Sequence, residues 1–123
     1  MTDCIFPIHS FNLKFNEYLP FSFTQDFIYQ SSGLKKHIEK RHPECLPYLP
    51  MIPDIIASPD YIGVNPNENV KSFELVKVLN ENIQIGIKLD IKKNYLYVAT
   101  LHTITDGKLQ HGLKNGRLIK FDK

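Results

Sequence analysis

The residues with the clearest chemical potential lie in HIEKRHP, residues 37–43. His37 and Arg41 are four positions apart, so on a helix they share one face about one turn from each other. A guanidinium holds a phosphate bidentately and an imidazole moves a proton near neutral pH. The pair therefore suits phosphate chemistry. His42 stands four after Ile38, which with Leu34 marks the apolar side of the same helix. A histidine there either bonds a backbone carbonyl or joins a site. A second group lies in IQIGIKLD and YLYVATLHT, residues 83–90 and 95–103. Gln84, Lys88 and Asp90 oppose the apolar Ile83, Ile85, Ile87 and Leu89, and Thr100 and His102 share one face of the next strand. With Lys88 across from either, a hydroxyl, an imidazole and an ammonium converge. Strict alternation also puts Leu96 and Val98 on the face of Thr100 and His102. The pair therefore reads equally well as the polar end of a buried face.

Several other chemistries find no support. The chain has no Gly-rich phosphate loop and no HExxH. His37 and His42, five apart, are poorly spaced for joint metal ligation on a straight helix. Cys45 follows His42 closely, but its Pro-rich surroundings argue for packing over a thiol nucleophile. Thirteen scattered acids show no identifiable glycosidase pair.

The elements that must position these residues follow from local pattern. Phe11, Leu13 and Phe15 alternate with polar residues, which suggests a short strand, with a helical turn through Tyr18 as the alternative. Asp26–Gln30 reads as a strand. Ser31 or Ser32 caps a helix over Leu34–His42, which ends before Pro43 because the residue ahead of a proline avoids the helical region. Pro47, Pro50, Pro53 and Pro59 then impose turns, with a short helix over Pro53–Ser58. After the turn signal Asn65-Pro66-Asn67 come strands over Phe73–Asn80, Ile83–Leu89 and Tyr95–Thr103. Asp106-Gly107 reads as a turn, and Gly116–Phe121 as a last short strand. The class is α+β, with the helix covering one face of an antiparallel sheet.

Composition bounds the rest. A chain of 123 residues with 42% hydrophobic and 23% charged residues fits one folded domain and argues against intrinsic disorder. No apolar run approaches the roughly 20 residues of a membrane-spanning helix, and MTDCIFPIHS lacks the pattern of a secretory signal. Two cysteines make neither a disulfide scaffold nor a Cys-rich zinc site. The net charge of +2 is unevenly placed. Residues 1–27 hold six of the eight phenylalanines and one basic residue, whereas 28–123 carry fourteen basic and ten acidic residues, a net of +4. Two basic clusters stand out: Lys35, Lys36, Lys40 and Arg41, and Lys108, Lys114, Arg117, Lys120 and Lys123. They form either a phosphate-facing surface or two solvated faces.

The order of motifs carries a resemblance. FIYQS, LKKHIEKRHP, DIIASPDYIGVNP, SFELVKVL, IQIGIKLD and LYVATLHTIT occur in sequence. That order resembles the phage-associated branch of the barnase, EndoU, colicin and RelE-like (BECR) nucleases, over about residues 27–121. The resemblance implies a helical and irregular N-terminal part packed on a curved antiparallel sheet. It also implies a division into a Phe-rich extension, 1–26, and a nuclease domain, 27–123. It implies a metal-independent, cofactor-free endoribonuclease of phage or mobile-element, toxin-like origin, with RNA such as tRNA as substrate. A cognate inhibitor or immunity protein is the implied partner, and the bacterial cytoplasm, of the producer or of a target cell, the implied location. Carried over by position, the site is His37, Arg41 and His42 with Lys88, Thr100 and His102. The family pattern has an aromatic such as Tyr where this chain has His102.

In such a site a base removes the ribose 2′-hydroxyl proton, the oxyanion attacks phosphorus, and an acid protonates the leaving 5′ oxygen. His37 and His102 are the expected acid and base, Arg41 and Lys88 the phosphate stabilisers, and Thr100 a hydrogen-bond donor. Tyr61, Tyr95 and Tyr97 either stack unpaired bases or belong to the core. Two competing readings are a catalytically silent RNA- or protein-binding module of the same fold and an adaptor that uses its Phe-rich N-terminus. The silent module predicts that His37, Arg41 and the strand residues fail to converge, or that the N-terminal segment fills the cleft.

Overall fold

The computed structural model describes residues 4–67 and 70–122. Seven strands form one open mixed sheet in the order β1-β2-β6-β5-β4-β3-β7. They are β1 Ile5–Ser10, β2 Phe27–Ser31, β3 Tyr61–Gly63, β4 Ser72–Val78, β5 Asn82–Asp90, β6 Tyr95–Ile104 and β7 Leu118–Lys120. The helices are α1 Gly33–Arg41, α2 Ile52–Ala57 and α3 Asp106–Lys114. The architecture is thus α+β, as the periodicity predicts. Every neighbouring strand pair is antiparallel except β2–β6, which is parallel. No helix among the described residues is long and apolar enough to cross a membrane.

The main core lies on one face of the sheet. Ile83, Ile85 and Ile87 of β5 meet Leu75 and Phe73 of β4, Leu96, Val98 and Leu101 of β6, and Leu34 and Ile38 of α1. Phe11, Phe15 and Phe23 join the same core, their rings edge-on or tilted at 5.5–6.0 Å from Phe73. Three of the six phenylalanines in the first quarter of the chain are therefore spent on burial, whereas Phe6 and Phe27 stay exposed. α1 starts where Ser31 Oγ accepts from the Gly33 N–H at 3.0 Å and stops ahead of Pro43, as read from sequence. Pro43–Met51 is a 3-10 segment that accommodates Pro47 and Pro50.

The structure departs from or adds to the sequence reading at four places. Of the two readings of Phe11, Leu13 and Phe15, the helical turn holds and the strand does not: Leu13–Tyr18 is a 3-10 helix whose Asn12 side chain caps Lys14 N–H, while the strand lies upstream at Ile5–Ser10. Pro7 fits there because β1 is an edge strand. β3, three residues long, is too short to show a period. Asp106-Gly107 opens a helix, since Thr105 Oγ1 accepts from the Lys108 N–H at 3.1 Å. α3 covers part of the second sheet face, where Leu109 and Leu118 pack on Val76 with Tyr61, Ile104 and Leu113 around them.

The fourth change decides the site. β5 and β6 pair in strict register from Asp90–Tyr95 to Ile87–Val98, then slip so that Gly86 meets Thr100 and Gln84 meets His102. Ala99 is the extra residue of a β-bulge. Strict alternation would have put Thr100 and His102 with Leu96 and Val98. The bulge instead turns them to the second face, with Gln84, Gly86 and Lys88.

Candidate active site

The floor of the candidate site is the second face of β4, β5 and β6. Gly86 lies in this floor: a Cβ there would lie 2.6 Å from Thr100 Oγ1, so a larger residue would force that hydroxyl aside. Around it Ser72 pairs with Lys88, Glu74 with Gly86, and Gly86 with Thr100. A cavity of about 250 Å³ opens here, lined among others by His42, Lys88, Thr100 and His102. A second, of about 470 Å³, lies under α3 and is lined by Gln84, Lys108, His111 and Arg117. The two share Asn65, Glu74 and His102, which makes them parts of one cleft.

His42 reaches this cleft for a topological reason. β2 pairs with β6 only at Leu96 and Tyr97, so the later half of β6 is left to α1 and the 3-10 segment. The His42 N–H caps α1 on Ile38 O at 2.7 Å, and its own carbonyl accepts from Cys45 N at 2.8 Å. Backbone fixed on both sides, the His42 ring sits 5.7 Å from the His102 ring at 42°. Its Nδ1 lies 3.9 Å from Glu44 Oε1. Cys45 is buried, and burial, with the Glu44 charge next, pushes its thiol up from the ordinary value. That state suits packing and disfavours a nucleophile.

Burial lowers the pKa of His102, and the charges of His42 and Lys108 lower it further. Its Nδ1 is buried with no hydrogen-bond partner among the described residues. A histidine kept neutral by its surroundings suits the role of a base. Glu74 forms the opposite wall. Its Oε1 accepts from Arg117 Nη2 at 2.8 Å and its Oε2 from Gln84 Nε2 at 2.8 Å. Each carboxylate oxygen already holds a donor, so Glu74 anchors Arg117 over the cleft.

The structure brings together four of the six residues singled out from sequence: His42, Lys88, Thr100 and His102. His37 and Arg41 lie exposed on α1 and line neither cavity. Among the described residues, none of positions 4–26 lines the cleft either. Sequence reasoning missed Glu74 and Asn65. Glu74 had a usable signal, because a hairpin turning near Leu79–Glu81 sets it two residues from Ser72, opposite Gly86. Arg117 and Lys108 were visible only as members of a basic cluster.

Residues 8–111 match the family described as phage-Barnase-EndoU-ColicinE5/D-RelE like nuclease 3. The chain belongs to that family. The match starts upstream of the segment that carries the motif resemblance and includes His42, Glu74, Lys88, Thr100 and His102; Arg117 lies beyond it. No curated protein and no solved structure matches the chain. Membership makes this a nuclease-family protein and agrees with the mixed α+β sheet.

Proposed function

We propose that the cleft cleaves RNA by transesterification through the ribose 2′-hydroxyl, without a metal ion. One observation carries the reading: two imidazoles, one of them with its pKa lowered by burial, line one cleft with an ammonium and a hydroxyl on a nuclease-family fold. His102, kept neutral by burial and by like charge, takes the 2′-hydroxyl proton. The oxyanion attacks phosphorus, the bond to the 5′ oxygen breaks, and His42 gives that oxygen its proton. The products are a 2′,3′-cyclic phosphate and a 5′-hydroxyl. Lys88 and the Thr100 hydroxyl bear on the phosphoryl oxygens as charge develops. Among the described residues no three His, Cys, Asp or Glu side chains are grouped to hold a metal. The ribose 2′-hydroxyl, which RNA has and DNA lacks, gives such a site an internal nucleophile for an imidazole base to activate. His37 and Arg41, with Lys36 and Lys40, extend a basic face along α1 for the RNA backbone.

The assay is cleavage of total RNA and of tRNA by the purified chain in chelator. His102→Gln and His42→Ala are expected to lose about 10²- to 10⁴-fold in rate. His37→Ala and Arg41→Ala are expected to lose far less, through weaker binding. Loss of activity in chelator that returns with a divalent cation would overturn the metal-free route. The separation of His37 and Arg41 from the cleft favours a second reading, the silent binding module. Absence of cleavage on every RNA, with oligonucleotide binding retained, would select it. The reading places the protein where RNA is, in the cytoplasm of its own or a target cell, and makes a dedicated inhibitor protein its natural partner.

A further inference from the structure

We propose that the sheet face beside the cleft is a platform on which unpaired bases of a single-stranded RNA stack, built from Tyr29, Tyr95 and Tyr97; this rests on the nuclease reading above. The register places all three on the face of Thr100 and His102. Tyr97 pairs with Lys88 on one side and Tyr29 on the other, and Tyr95 pairs with Asp90. A rank of Ser72, Lys88, Tyr97 and Tyr29 thus crosses four strands next to the Gly86–Thr100 floor. The Tyr29 and Tyr95 rings are 5.5 Å apart and edge-on, and the Tyr95 and Tyr97 rings are 5.8 Å apart and tilted.

Aromatic residues on strands are usually core, and these three are not. All are half-buried, and none belongs to either apolar cluster, in contrast to Tyr61, which packs under α3. α3 covers the other end of this face, over Val76. Beyond the tyrosines lies a hollow of about 390 Å³, lined by Tyr29, Tyr95, Gln25, Asp26, Lys93 and Asn94 among others. Its rim is fixed: Gln25 Nε2 donates to Asn94 Oδ1 at 3.1 Å, and Asn94 sits at φ 57°. Asp90 is turned to the strand connection, its Oδ1 accepting from Lys93 N at 3.0 Å. Lys88 and Lys93 therefore bracket the rings with positive charge, and Asp26 is the carboxylate in the hollow. Half-exposed rings beside cations, continuous with a phosphate-directed cleft, fit single-stranded RNA, since every base has a face to stack.

The test is equilibrium binding of a labelled 2′-O-methyl RNA of about ten nucleotides, which cannot be cleaved and so reads binding apart from catalysis. Tyr95→Leu and Tyr97→Leu are expected to weaken binding roughly ten-fold each, and Tyr97→Phe to keep wild-type affinity. Unchanged affinity in the leucine variants, equal loss in leucine and phenylalanine variants, or no binding by the wild type overturns the platform. The chain has six tyrosines and no tryptophan, so quenching of wild-type tyrosine emission by the oligonucleotide is a second readout. Failure to cleave RNA with this binding intact would sink the catalytic reading and leave the platform standing.

Discussion

At the residue scale, the proposed chemistry turns on the His102 environment. A histidine whose folded pKa lies below the ordinary 6.5 binds fewer protons folded than unfolded. Its contribution to stability is whole above pH 6.5 and is lost as pH falls from there through the folded value. Chemical denaturation along a pH series is therefore expected to show stability falling on the acid side, with a flatter profile in His102→Gln. In the proposed reaction the same shift sets the acid limb of kcat/KM, because a base must be neutral to accept the 2′ proton. That limb is expected below the usual imidazole range. Lys108→Ala removes one of the like charges that depress His102, so the limb moves to higher pH. A limb that stays in place would show that another group titrates. His102 was legible from sequence as a candidate. Its protonation was not, because burial and two neighbours from other elements set it.

At the element scale, a single extra residue in β6 decides which side chains meet. Ala99 takes up the slip, and Thr100 and His102 come out beside Lys88 and Gln84. Gly86 makes the complementary concession by having no side chain where Thr100 Oγ1 lies. Gly86→Ala forces that hydroxyl aside and is expected to cost about 1–3 kcal/mol. Adding Thr100→Ala should recover part of the loss. Thermal melts of the two single variants and the double variant close the cycle; additive costs would mean that the contact is unimportant. The strands themselves were legible, since Ile83, Ile85, Ile87 and Leu89 alternate without interruption. The bulge was not, because YVATLHT reads as a strand whichever residue is extra.

At the scale of the whole molecule, the two sheet faces have different work. One carries the main core beneath α1, α2 and the phenylalanines, and the other carries the cleft, the tyrosines and a small core under α3. The small core holds Val76, Leu109 and Leu118, and a Cβ on Gly112 would come within 2.9 Å of Leu118, so α3 packs tightly there. Leu118→Ala is expected to cost about 2–5 kcal/mol. It should also raise hydrogen exchange in α3 while β5, held from the main core, stays protected. Uniform loosening of both would mean that the two faces are one cooperative unit. Since α3 roofs the larger cavity and Arg117 precedes β7, the same variant should weaken RNA cleavage more than it weakens main-core protection.

The sequence by itself determined the class of fold, the ends of α1, the strands β4, β5 and β6, and a nuclease resemblance. These rest on short-range signals: a proline that stops a helix, a period of two, and the order of motifs. Tertiary structure decided which of the six candidates share a cleft. His37 and Arg41 looked like the stronger pair because four residues is one helical turn. His42 is the residue of that helix that enters, because Pro43 ends α1 where β2 leaves β6 uncovered. Glu74 and Arg117, 43 positions apart, became partners only through sheet order. Contacts of that range leave no local trace, since each residue alone is only a charged side chain near a turn.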